Sequence, residues 1–512
     1  MKHDNRSIMS NSKKPQNLAT MKQSTERSQQ SEVSSINLYL AAMTANLGAT
    51  AAGCALTWSS PTLIKLVNGG DPSISLVITK EEATWVGSLV TLGAAVGPIL
   101  SGFILDKLGR KNTVLFSMIL SIMAWIVIGF IPKINVLCLA RFILGISVGL
   151  VFTAVPTYIA EISTPNLRSS LGTLMQFFLC CGFLIEYTVG PYTSYLTLAL
   201  VSLIAPVLCF ATFMWMPNSP HSILNKPGRE EEASRALCWF RGTSQESAIA
   251  KELQEIILSI EEAKKQKSGF YELFANKGNI KAVMISLTMV GLQQMSGINI
   301  VLLYSENIFK AANTNLTAST CTIIVGVVML VTCSFTPTMA NYMSMKKMLN
   351  ISAIGMFFSE VALGFYFFCP KLGMDQSSLQ WLPIASLVTY IIAFYVGYGP
   401  LPWAIMGEVF PANLKSIATS ITASVCWFLG FLLCKNFNTM SAVFGMDYVF
   451  WLFGSFCIVA LMFTVFVLPD TEGKTLQEIQ DMLHGRTKRS INDNVIDKTD
   501  CLTRINLLSQ AE

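Results

Sequence analysis

Charge is what this sequence has least of: Asp, Glu, Lys and Arg make up 13% of 512 residues, against roughly a quarter in soluble domains. Histidine is scarcer still, with only His3, His221 and His484, none of them inside a long apolar run. Metal ligands and general bases of the usual kind are therefore missing where the chain is most apolar. No P-loop or HExxH string occurs, and no paired metal-ligand motif, so neither a catalytic site, a cofactor nor a metal is expected. The 13 cysteines form no CxxC pair and have no histidine neighbours. Most of them (Cys180, Cys181, Cys209, Cys333, Cys426) sit within apolar runs and read as small buried hydrophobes. Residues 1–35 lack the apolar core of a signal peptide and are rich in Ser, Gln, Asn and Lys, so a disordered tail is expected there.

What remains is apolar. Hydrophobic residues reach 52% and the mean hydropathy is +0.51, which makes a lipid bilayer the expected solvent. Crossing ~30 Å of hydrocarbon takes about 20 apolar residues. Twelve such runs are expected near 36–58, 83–105, 113–132, 136–160, 168–190, 194–216, 279–309, 318–341, 348–369, 380–406, 416–440 and 447–468. Lys and Arg gather in the first tail, in "DKLGRKN" (106–112), in 217–281, at Lys346 and Lys347, at Lys415 and in "HGRTKRS" (484–490). With twelve spans all these clusters fall on one side, which the positive-inside rule makes cytoplasmic, together with both termini. The net charge of +5 is then a topology signal and not a nucleic-acid footprint. The polar stretch after span six, with "GREEEASRALCWFRG" and "KELQEIILSIEEAKKQK", has the spacing of short surface helices. The expected organisation is a tail (1–35), a six-helix bundle (36–216), a cytoplasmic helical linker (217–278), a second six-helix bundle (279–468) and a second tail (469–512).

One phrase occurs twice. "EISTPNLRSS" starts at Glu161 and "EVFPANLKSI" at Glu408, giving Glu161 with Arg168 and Glu408 with Lys415 at the same end of spans four and ten. A lone charge cluster there is an ordinary solvated helix end, but a matched pair points to two homologous halves with a site between them. Each Glu and its following cation are expected to form a salt bridge that holds neighbouring helices while the inner gate is shut. In "GPILSGFILDKLGRKNTV" (97–114), Gly97 and Gly102 are expected to let helices approach closely, and Asp106, Arg110 and Lys111 to form a charged turn after Gly109. The second half reads "NYMSMKKM" (341–348) at the matching place. It keeps cations but no acid, so an asymmetric latch is expected, tighter in the first half.

The strings "GFILDKLGRK" (102–111), "ARFILGISVG" (140–149), "PTYIAEI" (156–162), "QQMSGIN" (293–299), "GYGPLPW" (397–403), "GEVFPANLK" (407–415) and "LPDTEGKTLQEI" (468–479) resemble, in this order, signatures of the sugar porters of the major facilitator superfamily. With "TWSSPTLIKL" (57–66) they are similar to insect facilitated trehalose transporters. The resemblance implies an all-α fold of two pseudo-symmetric six-helix bundles, a small neutral sugar as partner, and alternating access as the mechanism. It also implies a multi-pass monomer in the plasma membrane.

A sugar needs neutral amides that both donate and accept, plus an indole to stack on. Gln293, Gln294 and Asn299 supply the amides on span seven, where the alternative is amide glue between helices. Ser296-Gly297 permits a local break there. Gly397, Gly399, Pro400 and Pro402 cannot sustain an unbroken span ten, and Trp403 follows them. By resemblance Gln176 and Trp427 complete the site from spans five and eleven, and Tyr304 belongs to the gate. The sequence departs from the family at Leu303, at Cys426 and in "PNSPH" (217–221), where Asn218 and His221 replace charges.

Proton-coupled members carry an acid on span one, where this chain has Ala55, so uniport is expected. Glu186, near a helix end and so within reach of water, and Glu360 keep a proton-coupled alternative open, and the eroded "NYMSMKKM" and "PNSPH" keep open a non-transporting sugar sensor. Asn315 in Asn-Leu-Thr is a candidate glycosylation site on the outer side.

Overall fold

The computed structural model describes residues 36–69, 76–164, 167–265, 269–340, 342–470 and 476–483. The first predicted tail, the second from residue 484 on with its basic string at 484–490, Pro165 and Asn166 of the first repeated phrase, Asn341, and residues 471–475 of the last motif lie outside these. Among the described residues twelve helices are long and apolar enough to cross a membrane. They run Ile36–Val67, Lys80–Leu108, Arg110–Phe130, Ile134–Ile162, Ser170–Tyr192, Tyr195–Phe213, Lys277–Ala312, Ala318–Ala340, Met345–Leu372, Ser377–Val409, Asn413–Val443 and Met446–Phe466. Most are longer than the apolar runs by several residues, because helices continue into polar caps. Span two, for example, opens on a capping box in which Thr79 accepts from the Glu82 amide and Glu82 accepts from Thr79 in return, satisfying donors that a helix start leaves unpaired.

Spans one to six pack mainly on one another and spans seven to twelve likewise, while spans two with eleven, five with eight, and one with seven join the two groups. Glycine pairs set the closest approaches. A Cβ on Gly93 would lie 2.1 Å from the Phe142 carbonyl, and one on Gly145 2.2 Å from that of Val90, so spans two and four touch backbone to backbone. Gly97 meets Gly149 in the same seam, whereas Gly102 has nothing within 4 Å of its Cβ position. The expectation for Gly102 is thus corrected: it faces outward. Large apolar side chains such as Phe103, Phe130, Phe358 and Phe466 are exposed around the circumference, which suits a lipid-facing surface.

Three membrane helices are broken. Span one interrupts at Trp58, between Ile36–Thr57 and Ser59–Asn68. Span seven divides into Lys277–Met295 and Ile298–Ala312 around Gly297, at φ +85°, a conformation open to glycine at little cost. Span ten divides into Leu382–Val396 and Leu401–Val409, as its prolines require.

The stretch between spans six and seven carries helices Pro220–Leu224, Glu230–Arg241 and Glu246–Lys265. Arg241 fastens it to the first half, donating to the Ile162 carbonyl at the end of span four (2.9 Å) and to Glu252 (2.5 Å). Asn37 adds a bond to the Trp239 carbonyl at 2.8 Å. The end of the bundle that carries this linker is called the linker end below, and the opposite one the far end.

Candidate functional site

A pocket lies between the halves at the level of the helix breaks. It is lined by all six residues singled out for sugar binding, Gln176, Gln293, Gln294, Asn299, Trp403 and Trp427, together with apolar neighbours such as Phe152 and Tyr395. The breaks explain how the amides get there. Gln293 donates through Nε2 to the Tyr398 and Gly399 carbonyls, at 2.7 and 2.8 Å, which the interruption of span ten releases from helical pairing. Its Oε1 is left buried without a partner. Gln294 Nε2 donates to Cys426 Sγ at 3.1 Å, and its Oε1 accepts from Asn299 Nδ2 at 2.6 Å. Cys426, where the family pattern has an amide, therefore still holds Gln294. Gly430 leaves the space: a Cβ there would sit 2.6 Å from Asn299 Nδ2.

The indoles face each other across Phe152, whose ring centroid lies 5.2 Å from that of Trp427 and 6.4 Å from that of Trp403. Trp427 Nε1 has no partner. The wall therefore combines amides, indoles and flat apolar surface, with an unpaired acceptor and an unpaired donor buried in the residues that form it, the combination a polyhydroxylated ring with faintly apolar faces would use. No charged residue lines it.

The far end is shut. Tyr187 Oη of span five donates to the Leu302 carbonyl of span seven at 2.8 Å, the Glu306 amide donates to Ser60 Oγ at 3.3 Å, and Asn438 Nδ2 donates to Thr84 Oγ1 at 3.0 Å. Tyr304, at a non-helical turn of span seven, donates to the Cys434 carbonyl at 3.2 Å and stacks on Phe437. Its hydroxyl lies 2.9 Å from where a Cβ on Gly87 of span two would be, so it fills the seam between the halves.

At the linker end the charges of the first half are arranged differently from the expectation. Glu161 pairs with Arg110 at 2.8 Å and accepts from Ser219 of "PNSPH". Arg168 begins its helix exposed. Arg110 reaches Glu161 from the turn after Gly109, itself at φ +85°. Lys111 donates to the Met214 carbonyl at 2.7 Å, while Asp106 is exposed. In the second half Lys415 runs back over Gly407, its Nζ 3.6 Å from that residue's Cβ position. His221 lies beside the Glu161 cluster, and burial lowers its pKa, with Arg110 and Arg168 acting the same way and Glu161 opposing them.

Of three buried ionisable groups, Arg141 escaped the sequence reading, Glu186 was placed differently by it, and Glu360 lies buried in span nine where it was read. Arg141, inside "ARFILGISVG", is fully buried, donates to the Val86 and Ala55 carbonyls at 3.1 and 2.6 Å, and lies over the Trp58 ring. Only its presence in an apolar run signalled it. Glu186 does not face water: it is fully buried and accepts from Ser202 Oγ at 2.5 Å. Glu360 is buried with both oxygens unpaired. Among the described residues no cluster of metal-ligating side chains occurs.

A family model described as "Sugar (and other) transporter" matches residues 18–483. The chain is 34% identical over 452 residues to the facilitated trehalose transporters Tret1 of Drosophila mojavensis and of Polypedilum vanderplanki, covering 88% of this chain in both cases. The alignment takes in 52% of the Drosophila protein and 88% of the Polypedilum one, so the chain spans about half the length of some curated relatives it matches. Among solved structures, the proton:xylose symporter XylE of the major facilitator superfamily, bound to 6-bromo-6-deoxy-D-glucose, superimposes with TM-score 0.72 at 21% identity, covering 88% of this chain and 99% of that one. A partially occluded inward open form of XylE from E. coli gives TM-score 0.72 at 20% identity over 86% of this chain and 100% of that one. The fold is therefore the twelve-helix major facilitator fold.

Proposed function

We propose, because the chain belongs to the sugar transporter family, that it is a facilitative carrier of a neutral sugar, a hexose or a trehalose-like disaccharide, working by alternating access. The observation that carries this is the cavity wall: amides and indoles with unpaired polar atoms, and no charge. The trehalose transport named for the Tret1 relatives supports the disaccharide. In this reading Gln176, Gln293, Gln294 and Asn299 hydrogen-bond the sugar, and Trp403 and Trp427 stack on it. The structure is the state closed at the far end, and the halves rock to close the linker end by drawing Arg168, Glu408 and Lys415 in against Asp106, Lys111 and the Arg110–Glu161 pair. The breaks at Gly297 and at Gly399, Pro400 and Pro402 give spans seven and ten their freedom to bend, and Tyr304 leaves the seam when the far end opens.

With the linker end cytoplasmic and the far end outside the plasma membrane, the exposed Asn315 would be presented for glycosylation. The monomer is the working unit. Uncoupled transport is favoured because Arg141 is held by the Ala55 carbonyl, with no acid on span one at that position. Glu360 supports the proton-coupled alternative, since two unpaired buried oxygens are best tolerated in a protonated acid.

Reconstituted vesicles loaded or bathed with glucose or trehalose, with and without a pH gradient, test this reading. Uptake that equilibrates and ignores the gradient is expected, and accumulation driven by protons would establish the alternative. Gln294→Ala and Trp403→Ala should each reduce uptake at equal protein content. If both transport as the wild type does, the sugar site lies elsewhere.

A further inference from the structure

Two thiols from opposite halves meet behind the cavity. Spans five and eight run antiparallel where the halves touch, and Gly326 of span eight receives the Tyr187 ring of span five, 2.9 Å from its Cβ position. Seven residues bring an α-helix back to nearly the same face. Moving that far from the contact along each span, toward the linker end, places Cys180 opposite Cys333. Tyr395 of span ten fixes the level from the side, since its hydroxyl accepts from Cys180 Sγ at 3.5 Å and its carbonyl accepts from Thr336, one turn beyond Cys333, at 2.9 Å.

Both cysteines are buried, 0% and 6% exposed, yet the cavity is adjacent. Gln176 Nε2, on the cavity wall, contacts Cys180 Sγ at 3.9 Å, and Tyr395 lines the same wall. Gln176 and Tyr395 thus stand between the cavity and Cys180, and a small polar solute in the cavity lies on the protein side of the pair, away from lipid.

We infer that Cys180 and Cys333 form a reversible disulfide that staples the two halves in the far-closed arrangement, with a small peroxide as the oxidant. Cys180 sulfur attacks one peroxide oxygen, the O–O bond breaks, and the departing hydroxide takes the thiol proton to leave as water. Cys333 sulfur then attacks the resulting sulfenic acid, its proton leaving with the hydroxyl group as a second water. Two thiols and one hydrogen peroxide give one disulfide and two waters. The effect on flux rests on the carrier reading, but the bond itself does not.

The test uses the full chain in vesicles exposed to hydrogen peroxide. Peptide mapping without reductant should show residues 180 and 333 in one linked species, trehalose or glucose uptake should be lost, and dithiothreitol should restore both. Cys180→Ser and Cys333→Ser, each compared with its own untreated uptake, should become insensitive. Absence of the linked species overturns the proposal, as does a linked species with unchanged flux or a loss of flux that persists in either variant. If the untreated protein moves no sugar, the carrier reading fails and the mapping alone decides whether the bond forms.

Discussion

Gln293→Leu separates two jobs that one side chain performs. Leucine has nearly the same volume, so packing changes little, but Nε2 no longer reaches the Tyr398 and Gly399 carbonyls. Hydrogen bonds between helices in membranes average about 0.6 kcal/mol and reach about 1.7 kcal/mol, so losing two costs roughly 1–3 kcal/mol. That is a sizeable share of the ~5–15 kcal/mol that holds a typical protein folded. Gln294→Leu instead breaks bonds to two side chains, Cys426 and Asn299, and leaves no broken backbone exposed. Thermal unfolding of both variants in detergent, beside initial rates of uptake in vesicles, provides the comparison. Both should lose uptake, and Gln293→Leu should melt clearly below Gln294→Leu. Equal melting of Gln293→Leu and wild type would refute the claim that this amide supports the break in span ten.

Gly87→Val should favour opening of the far end, because its Cβ would press on the Tyr304 hydroxyl at 2.9 Å. Increased labelling of far-end residues by a membrane-impermeant reagent, with little change in expression, is expected. Gly93→Val strikes the Phe142 backbone instead, which cannot swing away, so folded protein by size-exclusion chromatography should largely disappear. His221, whose pKa is lowered mainly by burial, binds a proton less readily folded than unfolded. Stability is then highest above the ordinary histidine value of about 6.5 and falls as pH drops through it toward the folded value. Melting curves taken at successive pH values should show this slope, and His221→Gln should flatten it.

The membrane spans were legible because hydropathy is a bulk property, and the breaks in spans seven and ten because Gly297, Gly399 and Pro400 act locally on the backbone. The amides of "QQMSGIN" were legible for a similar reason: a polar side chain in hydrocarbon has few uses. Partners were not. Proximity in sequence ties Glu161 to Arg168, yet Arg110 takes it across 51 positions, since a helix end and a turn decide where each charge points. Arg141 donates to carbonyls from spans one and two, which no spacing along span four announces. The outward direction of Gly102 was hidden too, because a glycine seam and an idle glycine look alike until both helices are in place.

The grip of Arg241 on the last carbonyl of span four has a practical consequence. Whatever seizes helix Glu230–Arg241, whether an antibody fragment, a kinase or a fused fluorophore, takes hold of the first six helices alone and travels with them as cargo. A dye there, paired with another on span eleven, would read out the swing between halves as a change in energy transfer.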